Sequence, residues 1–340
     1  MSESNPPIPY VPATIPSSMG PNAPKTIGQI LDRTYRLMRN HFMLLVGVAA
    51  LPSALLLVMV AAFEAVLWIP MIRQFPKPPD PAIMLHSFNP IAIFLAIIVM
   101  LLLNLAIFSV YLAAASYAAT RADLGVKIAI RAAYARAWQR PGRHLWLLVL
   151  CYLYAFFPLL LIEGAVVLVA SLFAHGGTAT PALLVLIPLA VLLYIATFVY
   201  GVLMGLRLSL AFPACVEEDL TAYAAIKRSF QLTRGAKGRI FLVILVVYAL
   251  LYAGIFIVEI AAMLLTVIGI LVAAVLHVHL QAPWSYVGIG VLGVIAFVVM
   301  TLFFSLSYAG VLTTLGVVYN DQRLRKDGPP PAPPQAGETR

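Results

Sequence analysis

What this chain has least of is charge. Of its 340 residues, 22 are Lys or Arg and 13 are Asp or Glu, while 62% are hydrophobic. Soluble domains are about 25% charged; here the share is 10%. That is too little polar surface to cover a soluble globule, so that class is excluded. Between Arg143 and Arg207 only Glu163 is charged, and between Arg239 and Asp321 only Glu259. Such runs far exceed the roughly 20 apolar residues that cross a bilayer.

Cysteine is nearly missing as well. Cys151 and Cys215 are the only two, which excludes a disulfide framework and a thiolate zinc pattern. Both read as small apolar helix residues. No cleavable leader is expected, because residues 1–24 are polar and hold seven prolines, with no apolar stretch after a basic start. The chain also lacks a Gly-x-Ser-x-Gly elbow, a His-Glu-x-x-His pair and a phosphate-binding loop. The expectation is a protein that is not an enzyme and uses no cofactor. His86, His175, His277 and His279 map to outer turns and are too dispersed for a metal site.

What the chain does contain is six apolar segments, approximately 42–69, 91–119, 144–174, 182–213, 240–276 and 285–318. They predict an all-α, polytopic membrane protein with six transmembrane helices. Pro52, Pro158 and Pro213 mark expected kinks or ends. Gly269 marks an expected break in the fifth segment. Four stretches between these segments and at the ends carry 20 of the 22 basic residues, and the opposite side holds only Arg73 and Lys77. The positive-inside bias therefore puts both termini in the cytoplasm, as an even number of spans also requires. The formal charge of +9 is explained this way, with no nucleic-acid partner. The proline-rich tails, 1–24 and 327–340, read as disordered or polyproline II. They are solvated, or they dock a protein partner.

Each internal basic stretch reads as a short amphipathic helix feeding a span. The first starts at Thr26, with Gln29 at capping-box spacing, and carries Arg33, Arg36 and Arg39. The second carries Arg131, Tyr134, Arg136 and Trp138; the third carries Lys227, Arg228, Phe230 and Arg234. Basic residues opposite apolar ones suit a helix in the headgroup layer of an anionic leaflet. These eight Arg and Lys side chains are candidate lipid-headgroup ligands. Aligned on Tyr35, Tyr134 and Phe230, the three stretches place Glu64, Glu163 and Glu259 at the same offset of 29 residues. A triplicated unit follows: interfacial helix, span, turn, returning span, over about 26–120, 123–214 and 219–320 within a membrane domain spanning 25–326. The glutamates lie roughly 27–33 Å beyond the basic start of their spans, at about 1.5 Å per residue. Two readings stay open. One is an outer-leaflet ring that binds a cationic group, a divalent ion or protons. The other is three carboxylates hydrated near the outer headgroups. The acidic triplet Glu217-Glu218-Asp219 reads most simply as a solvated helix start.

The run from Arg207 through Pro213 and the acidic triplet to Leu220, followed by Ala224-Ala-Ile-Lys-Arg-Ser-Phe-Gln-Leu-Thr-Arg-Gly235, resembles the membrane domain of bacterial glycerophosphoryl diester phosphodiesterases. The opening Thr26-Ile-Gly-Gln-Ile-Leu-Asp-Arg-Thr-Tyr-Arg36 is similar to the start of related bacterial membrane proteins. The resemblance implies a bacterial inner-membrane protein linked to phospholipid or glycerophosphodiester metabolism. The soluble catalytic barrel of those enzymes has no counterpart in this sequence. Three functions are expected in competition: a non-enzymatic module associated with membrane lipids, a small proton- or cation-coupled transporter, and a scaffold acting through the tails.

Overall fold

Apolar runs of this length have one stable form away from water. Every backbone N–H must find a carbonyl within its own segment, which selects α-helix. The computed structural model describes residues 24–72, 90–174, 179–275 and 283–328, and all regular structure among them is α-helical. The ten helices among these residues are α1 (Ile27–Asn40), α2 (Phe42–Ile72), α3 (Pro90–Asp123), α4 (Ile130–Trp138) and α5 (Pro141–Ala174), then α6 (Ala179–Leu208), α7 (Ala211–Glu217), α8 (Ala222–Thr233), α9 (Lys237–Val275) and α10 (Pro283–Asp327). Six of them, α2, α3, α5, α6, α9 and α10, are long and apolar enough to cross a membrane. The chain is a multi-pass membrane protein. Residues 1–23 and 329–340 of the tails, the four histidines of the outer turns, Arg73 and Lys77 lie outside the described residues.

The short helices have local causes. Thr26 caps α1: its hydroxyl accepts from Gln29 N at 3.4 Å, and the Gln29 side chain accepts from Thr26 N at 2.7 Å. Thr221 caps α8 by accepting from Ala224 N. Gly235, at φ +80°, ends it, in the left-handed position that glycine fills without strain. The long helices depart from the predicted limits in three places. The fourth span stops at Leu208 instead of running to 213. Pro213 has no N–H to offer Ser209, so the chain turns and restarts as α7 with the proline in its first turn. The last helix runs nine residues past 318, to Asp327, because Tyr319 to Gln322 are buried. The expected break at Gly269 is absent: α9 runs straight through it, since glycine weakens a helix without removing a hydrogen bond.

Two prolines inside spans are also accommodated, each by a tyrosine. Pro52 leaves the carbonyl of Val48 without its helical donor, and the Tyr134 hydroxyl of α4 donates to it at 2.6 Å. Pro158 does the same to Tyr154, whose carbonyl accepts from the Tyr200 hydroxyl of α6 at 3.0 Å.

The core sits at one end of the bundle. On α3 the buried side chains begin at Ser109 and continue to Asp123. On α2 they lie between Leu45 and Ser53, and on α10 between Ser305 and Gln322. At this end α3 and α10 pack in parallel, through alanines on α3. A Cβ built on Gly316 would come within 2.7 Å of the Ala119 Cβ and 3.0 Å of its backbone carbon. Small residues let two membrane helices approach this closely. Away from that end, the described residues present large apolar side chains outward, as Val167 and Ile257, each at 68% exposure, show. In a membrane that surface meets lipid.

Candidate functional site

The packed end of the bundle is also the basic end, and its carboxylates are tied into one network. Asp321, with a fully buried side chain, accepts from Arg239 at 2.9 Å and from Arg325 at 3.0 Å. It also accepts from the Lys25 N–H at 2.6 Å, which fastens the start of α1 to the end of α10. Asp123, at the end of α3, receives Arg33 Nε at 2.9 Å and the Asn320 amide at 3.0 Å.

The acidic triplet is the hub. It differs from the solvated helix start that its sequence suggests, because five helices, α3, α4, α5, α8 and α10, converge on it. Glu217 accepts from Arg121 at 3.1 Å and from the Thr120 hydroxyl at 2.6 Å, and its side chain is 5% exposed. Glu218 accepts from Arg228 of α8 at 3.0 Å and from the Tyr319 hydroxyl of α10 at 2.8 Å. Asp219 gathers Arg143 at 2.7 Å, Arg140 at 3.2 Å and Arg136 at 3.6 Å. The Arg143 hydrogen bond and the surrounding guanidinium charges hold the Asp219 carboxyl below the usual carboxylate range. Burial opposes the Arg228 charge, but the hydrogen bonds it donates to Asp327 and Glu218 prevail and raise its pKa. Seven of the chain's 13 acidic residues flank the basic stretches. That crowding of a scarce residue type was the available signal for the network.

The eight candidate headgroup ligands divide. Arg33 and Arg228 are taken up by Asp123, Glu218 and Asp327, and Arg136 sits between Asp219 and Gln139. Arg36 pairs one turn back with Asp32, in the open. Arg39, Arg131, Lys227 and Arg234 are exposed, and no carboxylate among the described residues reaches them. Ser229, Leu232 and Thr233 are fully buried, and the Ser229 hydroxyl donates to the Arg207 carbonyl at 2.6 Å. The motif on α8 is therefore a packed helix and its cap, with its basic residues at the margin.

Of the three glutamates, Glu163 alone has a described side chain. Glu64 lies on α2 and Glu259 on α9; their side chains fall outside the described residues. Glu163 is exposed on α5 and accepts from the Tyr194 hydroxyl of α6 at 2.8 Å. No extensive packing joins α2, α5 and α9 among the described residues. No cluster of His, Cys, Asp and Glu suited to a metal ion is found among them either.

A cavity of about 530 Å³ lies beside α4. Leu51, Pro52 and Leu55 of α2 form one wall, with Ala106 and Val110 of α3 opposite, and Tyr134 and Trp138 of α4 close one end. The lining is almost wholly apolar. Tyr134 is half-buried, and burial pushes its phenol up to about 12.

Comparison with known proteins gives no matching family model, no matching curated protein and no matching solved structure.

Proposed function

We propose that this chain is a non-enzymatic, multi-pass module that associates with anionic lipids at its basic end. The observation that carries the reading is the division of charge at that end. Every buried carboxylate described there has a basic partner, yet Arg39, Arg131, Lys227 and Arg234 are exposed and meet no carboxylate among the described residues. A cationic rim around a bundle that crosses the membrane attracts phosphate headgroups, at about 1 kcal/mol per residue near an anionic surface. The basic end then faces the cytoplasm of a bacterium, and the protein sits in the inner membrane with both termini inside. The resemblance of Arg207–Leu220 and Ala224–Gly235 to the glycerophosphodiesterase membrane domain supports a place in phospholipid or glycerophosphodiester metabolism.

The proposal includes a threefold internal repeat. Arg143 and Arg239 each lie nine residues beyond the aligned aromatics Tyr134 and Phe230. Each pairs with the acid that closes its own hairpin, Asp219 and Asp321 respectively. In the first unit Leu44 stands at the corresponding position, and Arg33 serves Asp123 instead.

The test uses nanodiscs of equal phosphatidylglycerol and phosphatidylcholine. Wild type enriches phosphatidylglycerol among the lipids that stay with it in native mass spectrometry. The variant Arg39→Gln, Lys227→Gln, Arg234→Gln, with unchanged helicity, loses that enrichment. Equal lipid ratios in wild type would refute the reading.

A further inference from the structure

The cavity beside α4 is lined by α2, α3, the start of α5 and α4 itself. Both of its hydroxyl protons are already donated to backbone carbonyls. The Ser109 hydroxyl donates to the Ala106 carbonyl at 2.9 Å, and the Tyr134 hydroxyl to the Val48 carbonyl at 2.6 Å. A water molecule needs two to four polar partners to stay in such a space, and a lining this apolar does not group them. The occupant must be hydrocarbon, and at this depth the hydrocarbon at hand is lipid. At about 530 Å³ the space falls in the usual range of small-ligand pockets.

The rim supplies the other half of a ligand. Arg131, Tyr134 and Trp138 follow one another at spacings of three and four residues, so they share one face of α4. Tyr134 and Trp138 reach the cavity. Arg131 stands one turn away, exposed and without a carboxylate. Trp138 is 68% exposed, with its indole N–H free of any partner among the described residues. One cation and one neutral donor beside an apolar slot complement a phosphate attached to an acyl chain.

We propose that this cavity is a specific phospholipid site: it holds one acyl chain of an anionic phospholipid, with the phosphate on Arg131. The inference rests on the lipid-associated reading above and adds a defined position and stoichiometry to it. The full chain would be purified in mild detergent with phosphatidylglycerol and phosphatidylcholine supplied in equal amounts. Wild type should retain a single phosphatidylglycerol in native mass spectrometry. Ala106→Trp fills the slot from α3 and should reduce the retained lipid roughly tenfold or more. Arg131→Gln should keep a lipid but lose the preference between the two headgroups.

Leu55→Trp blocks the same slot from α2, so a folding failure in one variant leaves the other to decide. A folded slot-filling variant that holds the lipid as wild type does would overturn the proposal. So would an Arg131→Gln protein with its preference intact. Loss of the single lipid in Ala106→Trp, with the nanodisc enrichment unchanged, separates this site from the general cationic rim. If wild type shows no nanodisc enrichment but still holds the single lipid, the rim reading fails and the cavity stands.

Discussion

Single residues at the basic end carry energies large enough to measure. The Tyr134 hydroxyl is the donor for a carbonyl that Pro52 has orphaned. Tyr134→Phe leaves that carbonyl bare, at a cost of about 1–3 kcal/mol, seen as a lower melting temperature in detergent. A Pro52→Ala change on top should recover much of the loss, because the helix then supplies its own donor. Asp321 is more demanding. Asp321→Asn leaves Arg239 and Arg325 facing a neutral side chain in a buried place, and about 3–5 kcal/mol should be lost. Asp32→Asn, at the exposed pair with Arg36, should change stability by less than about 0.5 kcal/mol. Asp219 sets an acid limit. Its carboxyl is depressed in the folded state, so its contribution is complete above the ordinary carboxylate value near pH 4. The contribution is lost as pH falls through the depressed value. Melting temperature measured from pH 7 to pH 3 should fall less steeply for Asp219→Asn than for wild type; parallel curves would contradict the assignment.

Among the elements, the crossing of α3 and α10 decides whether the bundle assembles. Gly316 leaves no space for a Cβ against Ala119. Gly316→Val should cost about 1–3 kcal/mol through overpacking. Gly269→Ala on α9, where no atom lies within 4 Å of the added carbon, should be neutral or slightly stabilising. Comparing the two melting curves tests whether the core lies at the basic end. The spans themselves were legible from hydropathy, and the α1 cap from Thr26 and Gln29, because both signals are local. The sequence marks Pro213 as a kink or end, which puts the α6 ending at the proline itself and not at Leu208. A proline three residues inside a new helix looks the same in sequence as one ending an old helix. The extension of α10 was hidden for a different reason. Tyr319 to Gln322 look like a polar tail, and only their distant partners Lys25, Asp123, Glu218 and Arg239 make them interior.

Across the whole molecule, the distribution of charge marked the basic end in the sequence but not the way that charge is spent. Eight basic residues look equivalent on three amphipathic helices. In the fold, Arg33 and Arg228 serve as internal ties, while Arg39, Arg131, Lys227 and Arg234 stay free. Pairings that span 90 residues or more, such as Arg33 with Asp123 and Arg239 with Lys25, cannot be read from periodicity. The cavity escaped for the same reason, since its walls come from α2, α3, α4 and the start of α5.

The central claim is that the free charges form an electrostatic contact with anionic lipid. Its most direct measurement is phosphatidylglycerol enrichment around wild type and the Arg39→Gln, Lys227→Gln, Arg234→Gln variant as salt is raised from about 0.01 M to about 1 M. Over that range the screening length shortens from about 30 Å to about 3 Å. The account predicts wild-type enrichment at low salt that falls toward the level of the variant at high salt. Enrichment equal in the two proteins, or indifferent to salt, would contradict it.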